Sequence, residues 1–214
     1  MKPCDAILLD MDGTLVDAFA PIVYALNATL EEYSLPQMSK EAIVRHTGKG
    51  ECSMMALFGD RRVAAGKRFL EFHDQRMFEL SPLPAAEDLL RGLLDAGIAR
   101  AIVTSKSQQR ADQQLKFLQW DGLLDAVVGL CDDRRQKPDP HTLQLACEKI
   151  SCKYERTWMI GDGIADMQAA RRAGLARVMG IANSFSDAEL RKAGADETFI
   201  DLQGAWTWIQ KQIN

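Results

Sequence analysis

The chain has 214 residues, which is enough for one large domain or for a core domain that carries a smaller insert. Apolar residues make up 47% and charged residues 26%, a balance typical of globular proteins, and no apolar run approaches the ~20 residues that span a bilayer. A net charge of −4 argues against nucleic-acid binding, which usually needs a basic face. We therefore expect neither a membrane nor a nucleic-acid polymer as a partner.

The cysteines and the first residues bear on the cellular compartment. The five cysteines, at positions 4, 52, 131, 147 and 152, have the spacing of neither a zinc site nor a disulfide framework. We interpret them as reduced thiols. The first residues reach Asp10 after a few apolar positions, without the sustained apolar region of a secretory signal. Both features favour a cytoplasmic location.

A short apolar strand at residues 6–9 ends in two acidic residues. Asp10 and Asp12 follow it directly, and Gly13 comes next. In an open α/β sheet, ligands bind at the carboxyl ends of the strands, and glycine permits a sharp turn there. The pattern predicts that both carboxylates lie in a ligand-binding crevice.

Residues 17–81 have helical periodicity and no convincing strand. Leu26 and Leu30 recur at helical spacing, and Ser39 is placed to cap a further helix. The segment ends at residues 81–84, where two prolines in four residues predict a stiff linker. We interpret the segment as a helical cap over the rest of the chain.

From residue 85 onwards, helical patterns alternate with short apolar strands. Such alternation is typical of a parallel sheet built from βα units. The predicted strands are 98–103, 126–128, 157–160, 176–181 and 197–200, and a helix at 206–213 closes the chain. We expect an α/β fold in which these strands complete the sheet that residues 6–9 begin.

Polar side chains gather at the predicted strand ends, and their types suit phosphoryl transfer. A carboxylate can attack phosphorus and form an aspartyl phosphate, which divides a difficult hydrolysis into two easier steps. A lysine and a hard divalent cation such as Mg²⁺, which prefers oxygen ligands, would neutralise such a site. The candidate residues are Asp10, Asp12, Thr104, Ser105, Lys137, Asp162 and Asp166.

Four ordered motifs carry a resemblance to a known family. They are DMDGTL at 10–15, VTS at 103–105, Lys137 within KPDP, and GDGIAD at 161–166. In these motifs the chain resembles the haloacid dehalogenase superfamily of aspartate-nucleophile phosphatases. The resemblance implies a doubly wound, Rossmann-like parallel sheet as the core, formed by residues 1–16 and 82–214. It also implies that residues 17–81 are an inserted helical cap domain.

The resemblance implies a role for each carboxylate of the first motif. Asp10 would be the nucleophile and a Mg²⁺ ligand. Asp12 would protonate the leaving-group oxygen and then activate the hydrolytic water, and its backbone carbonyl would complete the metal site.

The later motifs would bind the phosphate and the metal. Thr104 would bond the phosphoryl oxygens together with backbone amides that include that of Ser105. Lys137 would stabilise negative charge on Asp10 and on the transferring group. Asp162 would bind Mg²⁺, and Asp166 would orient metal-bound waters or Lys137.

The beginning of the cap is similar to that of phosphoglycolate phosphatases. The similar features lie in residues 15–50, and Arg45 and Lys49 give this edge a positive character that suits a small carboxylated phosphate. The chain departs from that subfamily at Ser105, where asparagine is frequent, and at Gly163, where serine is common. The resemblance implies a Mg²⁺-dependent phosphatase for a small anionic phosphomonoester such as phosphoglycolate.

Other functions remain open on the sequence. A phosphatase for a nucleotide, a sugar phosphate or pyrophosphate would use the same motifs. So would a phosphomutase similar to β-phosphoglucomutase, which protects its phosphoenzyme from water. A regulatory or binding protein without catalysis is a third possibility, and the sequence gives no oligomeric state.

Overall fold

A parallel β-sheet forms the centre of the protein. The computed structural model describes residues 3–47 and 54–213. The strands in chain order are β1 (Ala6–Leu9), β2 (Val16–Asp17), β3 (Ser81–Pro82), β4 (Ala99–Ser107), β5 (Ala126–Leu130), β6 (Thr157–Gly161), β7 (Arg177–Ile181) and β8 (Glu197–Phe199). Among the described residues, six of these strands form one sheet in the order β5-β4-β1-β6-β7-β8, and every neighbouring pair is parallel.

Helices connect the strands and cover both faces of the sheet. They are α1 (Phe19–Glu32), α2 (Lys40–Thr47), α3 (Arg62–Asp74), α4 (Ala86–Asp95), α5 (Gln108–Phe117), α6 (His141–Lys149), α7 (Ile164–Ala173), α8 (Asp187–Ala193) and α9 (Leu202–Ile213). Short 3₁₀ helices occupy Met55–Arg61 and Tyr154–Arg156. None of the helices in the described ranges combines the length and the apolarity that a membrane crossing requires.

Strand β1 lies in the middle of the sheet because it is apolar on both faces. All four of its residues are buried, and its last residue, Leu9, lies opposite Ile102 of β4 and Ile160 of β6. Parallel strands that are covered on both faces have continuous apolar runs of this kind. From β1 the chain builds the sheet outwards in both directions. The predicted α/β fold with a doubly wound parallel sheet is therefore confirmed.

Separate hydrophobic clusters fill the two sides of the sheet. On one side, side chains of β1 such as Leu9 pack with α4 and α9, and Trp206 is buried there. On the other side, Leu8 packs with α6 and α7. Trp208 lies 5.8 Å from Trp158, measured between ring centroids. Both tryptophans of α9 therefore contribute to the packing of the molecule.

Helices α1 to α3 have a hydrophobic cluster of their own, formed mainly by Phe19, Ile22, Leu26, Ile43 and Phe58. These five side chains lie between residues 17 and 81, where the sequence predicts helices. The helical character of this segment agrees with that prediction.

The connection between the helical segment and the sheet differs from the prediction. The sequence predicts no strand within residues 17–81 and a stiff linker at 81–84. Instead, Val16 and Asp17 pair antiparallel with Pro82 and Ser81, respectively. The chain therefore leaves for the helical segment and returns from it at adjacent positions. Strands of two residues have no periodicity, so a sequence pattern could not reveal this pair.

Strand β4 is longer than predicted. The sequence predicts its end at residue 103, but β4 continues to Ser107, and its register with β5 shifts between Val103 and Ser107. Such irregularities redirect side chains and frequently lie beside active sites. The polar residues after Val103 resemble a loop in the sequence, although their backbone continues the strand.

Candidate active site

The carboxyl ends of the three central strands bring the predicted residues together. Asp10 follows β1, Thr104 lies near the end of β4, and Asp162 follows β6. The backbone N–H of Asp10 donates to the carbonyl of Ile160 at 2.9 Å, which fixes the end of β1 beside β6. The sequence separates these three side chains widely, but the parallel register places them at one edge.

Three buried carboxylates form an acidic cluster at this edge. Asp10, Asp162 and Asp166 each offer an oxygen, and these oxygens all lie within 4.8 Å of one another. The three residues are at most 8% exposed. A group of oxygen donors without nitrogen or sulfur suits a hard divalent cation. The cluster is therefore a candidate metal site, in which Asp166 joins two of the predicted ligands, Asp10 and Asp162, and the donor set leaves the identity of the cation open.

Burial and mutual repulsion make this cluster costly to ionise. Burial raises the pKa of Asp10 to about 7, the charge of Asp166 adds to this effect, and Lys137 opposes it. Burial likewise raises the pKa of Asp162 well above its usual value, and Asp10 and Asp166 add to the shift. A cation among these oxygens would favour their ionised forms.

Lys137 neutralises part of this negative charge. Its Nζ lies 2.6 Å from Oδ1 of Asp10, 2.6 Å from Oδ1 of Asp166 and 2.8 Å from the carbonyl oxygen of Val103. Burial alone would lower the pKa of Lys137, but the two carboxylates raise it. The lysine is therefore an ammonium ion that bridges two members of the cluster.

Residues beyond the predicted set hold Asp162. Thr14 donates from Oγ1 to Oδ1 of Asp162 at 3.3 Å, and Ser184 donates to Oδ2. Gly13 has a φ of +84°, and a Cβ there would lie 2.8 Å from Cζ of Phe19 and against the Asp162 carboxylate. Thr14 lies inside the first sequence motif, whereas Ser184 follows β7 without any motif that would reveal it.

The backbone at the start of α7 orients Asp166. The N–H of Gly163 donates to Oδ2 of Asp166 at 2.9 Å, which leaves Oδ1 for Lys137. A Cβ on Gly161 would lie 2.6 Å from Cβ of Asp166. Glycine at position 161 therefore gives this carboxylate the space that it needs beside the sheet.

Asp12 has a partner that the sequence analysis missed. Nζ of Lys106 donates to Oδ1 of Asp12 at 2.8 Å and to Oε1 of Gln114 at 2.5 Å. Nε2 of Gln114 donates in turn to the carbonyl oxygen of Met77 at 2.6 Å. The side chain of Lys106 is only 6% exposed. No pattern in the sequence distinguishes this lysine from a solvated one.

Thr104 and Ser105 lie next to the acidic cluster. Thr104 is buried, and its Oγ1 accepts a hydrogen bond from the backbone N–H of Lys106 at 3.2 Å. Ser105 is exposed. Both residues line the same cavity as Asp10 and Lys137.

A cavity of about 240 Å³ lies between the acidic edge and the helical segment. The side of the cavity at the acidic edge is polar, and Lys106 and Arg110 line it. The opposite wall includes the apolar side chains of Ile22, Met54, Met55, Phe69 and Leu70, together with His46, Thr47 and His73. The cavity can therefore hold a small ligand with its anionic end at the sheet and its other end against apolar side chains.

The two predicted cations of the helical segment are Arg45 and Lys49. Arg45 is not among the described residues that line the cavity. Its Nη2 lies 2.6 Å from Oε1 of Glu189 on α8, and its guanidinium lies 4.8 Å from the ring centroid of Phe185. Lys49 lies outside the described residues. The sequence analysis also missed a second ion pair between the helical segment and the rest of the chain, in which Arg110 contacts both carboxylate oxygens of Asp74 at 2.7 Å.

Two histidines also line the cavity. His73 is 3% exposed and lies beside Phe69. Burial and the nearby charge of Lys106 lower its pKa. His46 lines the cavity as well.

Comparison with known proteins agrees with this arrangement. The model of the haloacid dehalogenase-like hydrolase family matches residues 7–180, which is most of the chain. The chain belongs to this family. The predicted family and the prediction of a hydrolase of the phosphatase class are thereby confirmed.

The relatives of this chain include proteins with two different names. A protein of Bacillus velezensis named pyrophosphatase PpaX is 29% identical over 197 residues, which cover 90% of this chain and 89% of the relative. A protein of Caulobacter vibrioides named phosphoglycolate phosphatase is 27% identical over 212 residues, which cover 93% and 89%, respectively. The two similarities do not choose between the two names.

Solved structures of the family have the same fold. A hydrolase from Pseudomonas syringae superposes with a TM-score of 0.84 at 25% identity and covers 97% of this chain and 98% of its own. A haloacid dehalogenase-like protein from Streptococcus pneumoniae has a TM-score of 0.87 at 24% identity, with coverages of 98% and 100%. The second similarity concerns the fold alone.

Proposed function

We propose that the protein is a Mg²⁺-dependent phosphatase that hydrolyses a small anionic phosphomonoester through an aspartyl phosphate on Asp10. The observation that carries this proposal is the contact of one lysine with two members of a buried acidic cluster. Lys137 bridges Asp10 and Asp166, and the cluster opens to a cavity of small-molecule size. Such a site combines a nucleophile, a cation and a place for a metal ion.

The proposed metal ligands are the side chains of Asp10 and Asp162 and the backbone carbonyl of Asp12. Asp166 would act directly on the metal or through a water molecule. The bound ion would neutralise negative charge, so that a carboxylate and a phosphoryl group can approach each other. The clustering of three oxygen donors within 4.8 Å supports this assignment.

In the first proposed step, a carboxylate oxygen of Asp10 attacks the phosphorus atom. The bond between phosphorus and the leaving oxygen breaks, its electron pair stays on that oxygen, and Asp12 donates the proton that neutralises it. Lys137 and the hydroxyl of Thr104 stabilise charge on the transferring group. The products of this step are the free alcohol and the phosphorylated Asp10.

In the second proposed step, a water molecule attacks the aspartyl phosphate. Asp12, which is now a carboxylate, takes a proton from the water and returns to its initial form. The bond between phosphorus and the Asp10 oxygen breaks, and inorganic phosphate leaves. Water must reach the site in this step, which separates a phosphatase from a phosphomutase.

We also propose that the chain consists of a core, residues 1–16 and 82–214, and a cap, residues 17–81. The separate hydrophobic cluster of α1 to α3 supports this division. The pairing of β2 with β3 provides a short two-stranded connection between the two parts. The apolar wall of the cavity then belongs to the cap.

The leading substrate candidate is phosphoglycolate. Relatives named phosphoglycolate phosphatase support it, and so does the volume of the cavity. Lys106 and Arg110 line the cavity, but each is already paired with a carboxylate, of Asp12 and Asp74 respectively, so a substrate carboxylate would have to join or open these pairs. A contact between Arg45 and the substrate, as the sequence suggests, would require the ion pair with Glu189 to open. The corresponding role of Lys49 stays a prediction.

Pyrophosphate is the second substrate candidate. The relatives named pyrophosphatase PpaX favour it. A pyrophosphate leaving group carries more charge than glycolate and would place that charge opposite the apolar wall of Met54, Met55 and Phe69. This wall is the physical reason why we rank the organic phosphate first.

A phosphate-release assay tests the proposal and separates the two substrates. The purified protein is incubated with phosphoglycolate, pyrophosphate, sugar phosphates and nucleotides, with Mg²⁺ or with a chelator. We expect release from a small organic phosphate that depends on Mg²⁺ and disappears in Asp10→Asn, whereas Asp121→Asn at an exposed turn retains it. Isomerisation of a sugar phosphate without net release would favour the mutase. A cytoplasmic location stays a prediction from the sequence.

A further inference from the structure

Asp12 is held by a buried chain of polar groups that the proposed mechanism does not use. The chain runs from Oδ1 of Asp12 to Nζ of Lys106 (2.8 Å), from Nζ to Oε1 of Gln114 (2.5 Å), and from Nε2 of Gln114 to the carbonyl oxygen of Met77 (2.6 Å). Gln114 is fully buried, and the side chain of Lys106 is 6% exposed. The chain therefore connects the candidate acid to backbone that lies beyond α3.

Burial of these groups is costly for the folded protein. A charged ammonium and a neutral amide lose their hydration when they are buried, and hydrogen bonds only partly compensate. An apolar pair at positions 106 and 114 would fill the same space without this cost. The arrangement therefore points to a role that an apolar pair could not perform.

The geometry suggests what that role is. Lys106 touches the carboxyl group of Asp12, and Gln114 and the Met77 carbonyl limit where the flexible lysine can place its ammonium. When Asp12 gives its proton to the leaving oxygen, negative charge develops on a carboxyl group that already contacts a fixed cation. The attraction between them strengthens in the transition state, which is the condition for catalysis.

We propose that Lys106 and Gln114 are positioning residues that hold Asp12 for proton transfer to the leaving group. This inference rests on the proposed function, because it assumes that Asp12 is the acid. It predicts an effect that depends on the basicity of the leaving group. A strongly basic leaving oxygen needs the proton from Asp12, whereas a weakly basic one departs without it.

Two aryl phosphate monoesters of similar size, each with an uncharged aryl group, test this dependence. Phenyl phosphate has a basic leaving group, and p-nitrophenyl phosphate has a weakly basic one. The quantity to compare is kcat/KM, because it includes only the steps up to the first irreversible one, the departure of the phenol. Neither leaving group carries a charge before reaction, so direct attraction of the substrate to Lys106 would affect both esters alike.

We expect Lys106→Met to lower kcat/KM for phenyl phosphate by about 100-fold, within the range of general acid catalysis. The loss for p-nitrophenyl phosphate should be less than about tenfold. Gln114→Met should give a smaller loss, about tenfold, with the same preference between the esters. Lys106→Arg, which retains the cation, should restore part of the activity toward phenyl phosphate.

Matched controls separate positioning from general damage. Lys116→Met and Gln113→Met make the same changes at exposed positions of α5 and should leave both rates unaltered. Thermal unfolding of each variant reports on the fold, and Gln114→Met tests the inference if Lys106→Met does not fold.

Equal losses on both esters, or no loss, would overturn the positioning role. Asp10→Asn distinguishes this result from a failure of the proposed function, because it should abolish turnover of both esters.

Discussion

The ammonium of Lys137 lies 2.6 Å from Oδ1 of Asp10, and 127 residues of sequence separate the two side chains. Both are buried at the carboxyl edge of the central strands. The same ammonium contacts Asp166, so one cation holds two carboxylates that would otherwise repel each other. This relationship makes Lys137 important for both the stability and the chemistry of the site.

Replacement of Lys137 should affect activity and stability together. We expect Lys137→Met to lower kcat by about 10²- to 10³-fold, the usual loss on removal of one group that stabilises a transition state. The variant should also lose about 3–5 kcal/mol of unfolding free energy, because the carboxylates lose their buried partner. Phosphate release and chemical denaturation measure the two effects. Lys149→Met, at an exposed position of α6, is the control, and normal activity of Lys137→Met would contradict the assignment.

A methyl group at position 161 should disturb the acidic cluster. The Cβ of Gly161→Ala would lie 2.6 Å from Cβ of Asp166, so the side chain of Asp166 must shift within the cluster. We expect a loss of about 1–3 kcal/mol in stability from overpacking and a weaker affinity for Mg²⁺. Calorimetric titration with Mg²⁺ measures the affinity. Gly122→Ala is the control because its Cβ meets nothing within 4 Å, and equal affinities in the two variants would argue against a metal site here.

The raised pKa of Asp10 predicts how the stability of the metal-free protein depends on pH. In the unfolded chain this carboxyl loses its proton near pH 3.8, whereas the folded protein retains it up to about pH 7. Between these values the folded state binds more protons than the unfolded state, so the free energy of unfolding falls as the pH rises.

Denaturation in the presence of a chelator, from pH 5 to pH 8, measures this decline. We expect Asp10→Asn to have a shallower decline, because the group that gains a proton on folding is absent. Mg²⁺ should stabilise the unchanged protein more at pH 8 than at pH 5, since it binds the ionised cluster. A stability of the metal-free protein that rises with pH, and is unaffected by Asp10→Asn, would contradict the prediction.

The ion pair between Arg45 and Glu189 allows a test of the predicted substrate contact. Both side chains are more than one third exposed, so the pair should contribute at most about 1 kcal/mol to stability. If Arg45 serves only this pair, Arg45→Met and Glu189→Gln should have the same small effect on KM for phosphoglycolate. A rise in KM confined to Arg45→Met would assign Arg45 to the substrate. Because Arg45 contacts Glu189 in the structure, we expect the two variants to have the same KM.

The arrangement of the strand ends explains why much of the site could be predicted from sequence. Asp10, Thr104 and Asp162 each end an apolar run, and parallel strands bring their carboxyl ends to one edge whatever their separation in the chain. Gly13, which follows Asp12, and Gly161, which precedes Asp162, both pack closely against carboxylates of the cluster in the structure. Pattern and topology agree for these residues.

Other parts of the structure depend on contacts that no local pattern records. Lys106 belongs to a polar run that resembles a loop, and its contact with Asp12 spans 94 residues. Glu189 meets Arg45 across 144 residues, and both look like ordinary surface charges in the sequence. Strands β2 and β3 are too short for alternation to be visible. In each case the contact forms only in the tertiary structure, so the local sequence could not predict it.

Nucleophilic catalysis by Asp10 is tested most directly by locating the phosphoryl group during turnover. The protein is mixed with Mg²⁺ and a phosphomonoester that it hydrolyses, quenched in acid, digested and analysed by mass spectrometry. We expect an acid-stable, base-labile phosphoryl group on the peptide that contains Asp10, and its absence from Asp10→Asn, which should not turn over. A phosphoryl group on another residue, or sustained hydrolysis by Asp10→Asn, would show that Asp10 is not the nucleophile.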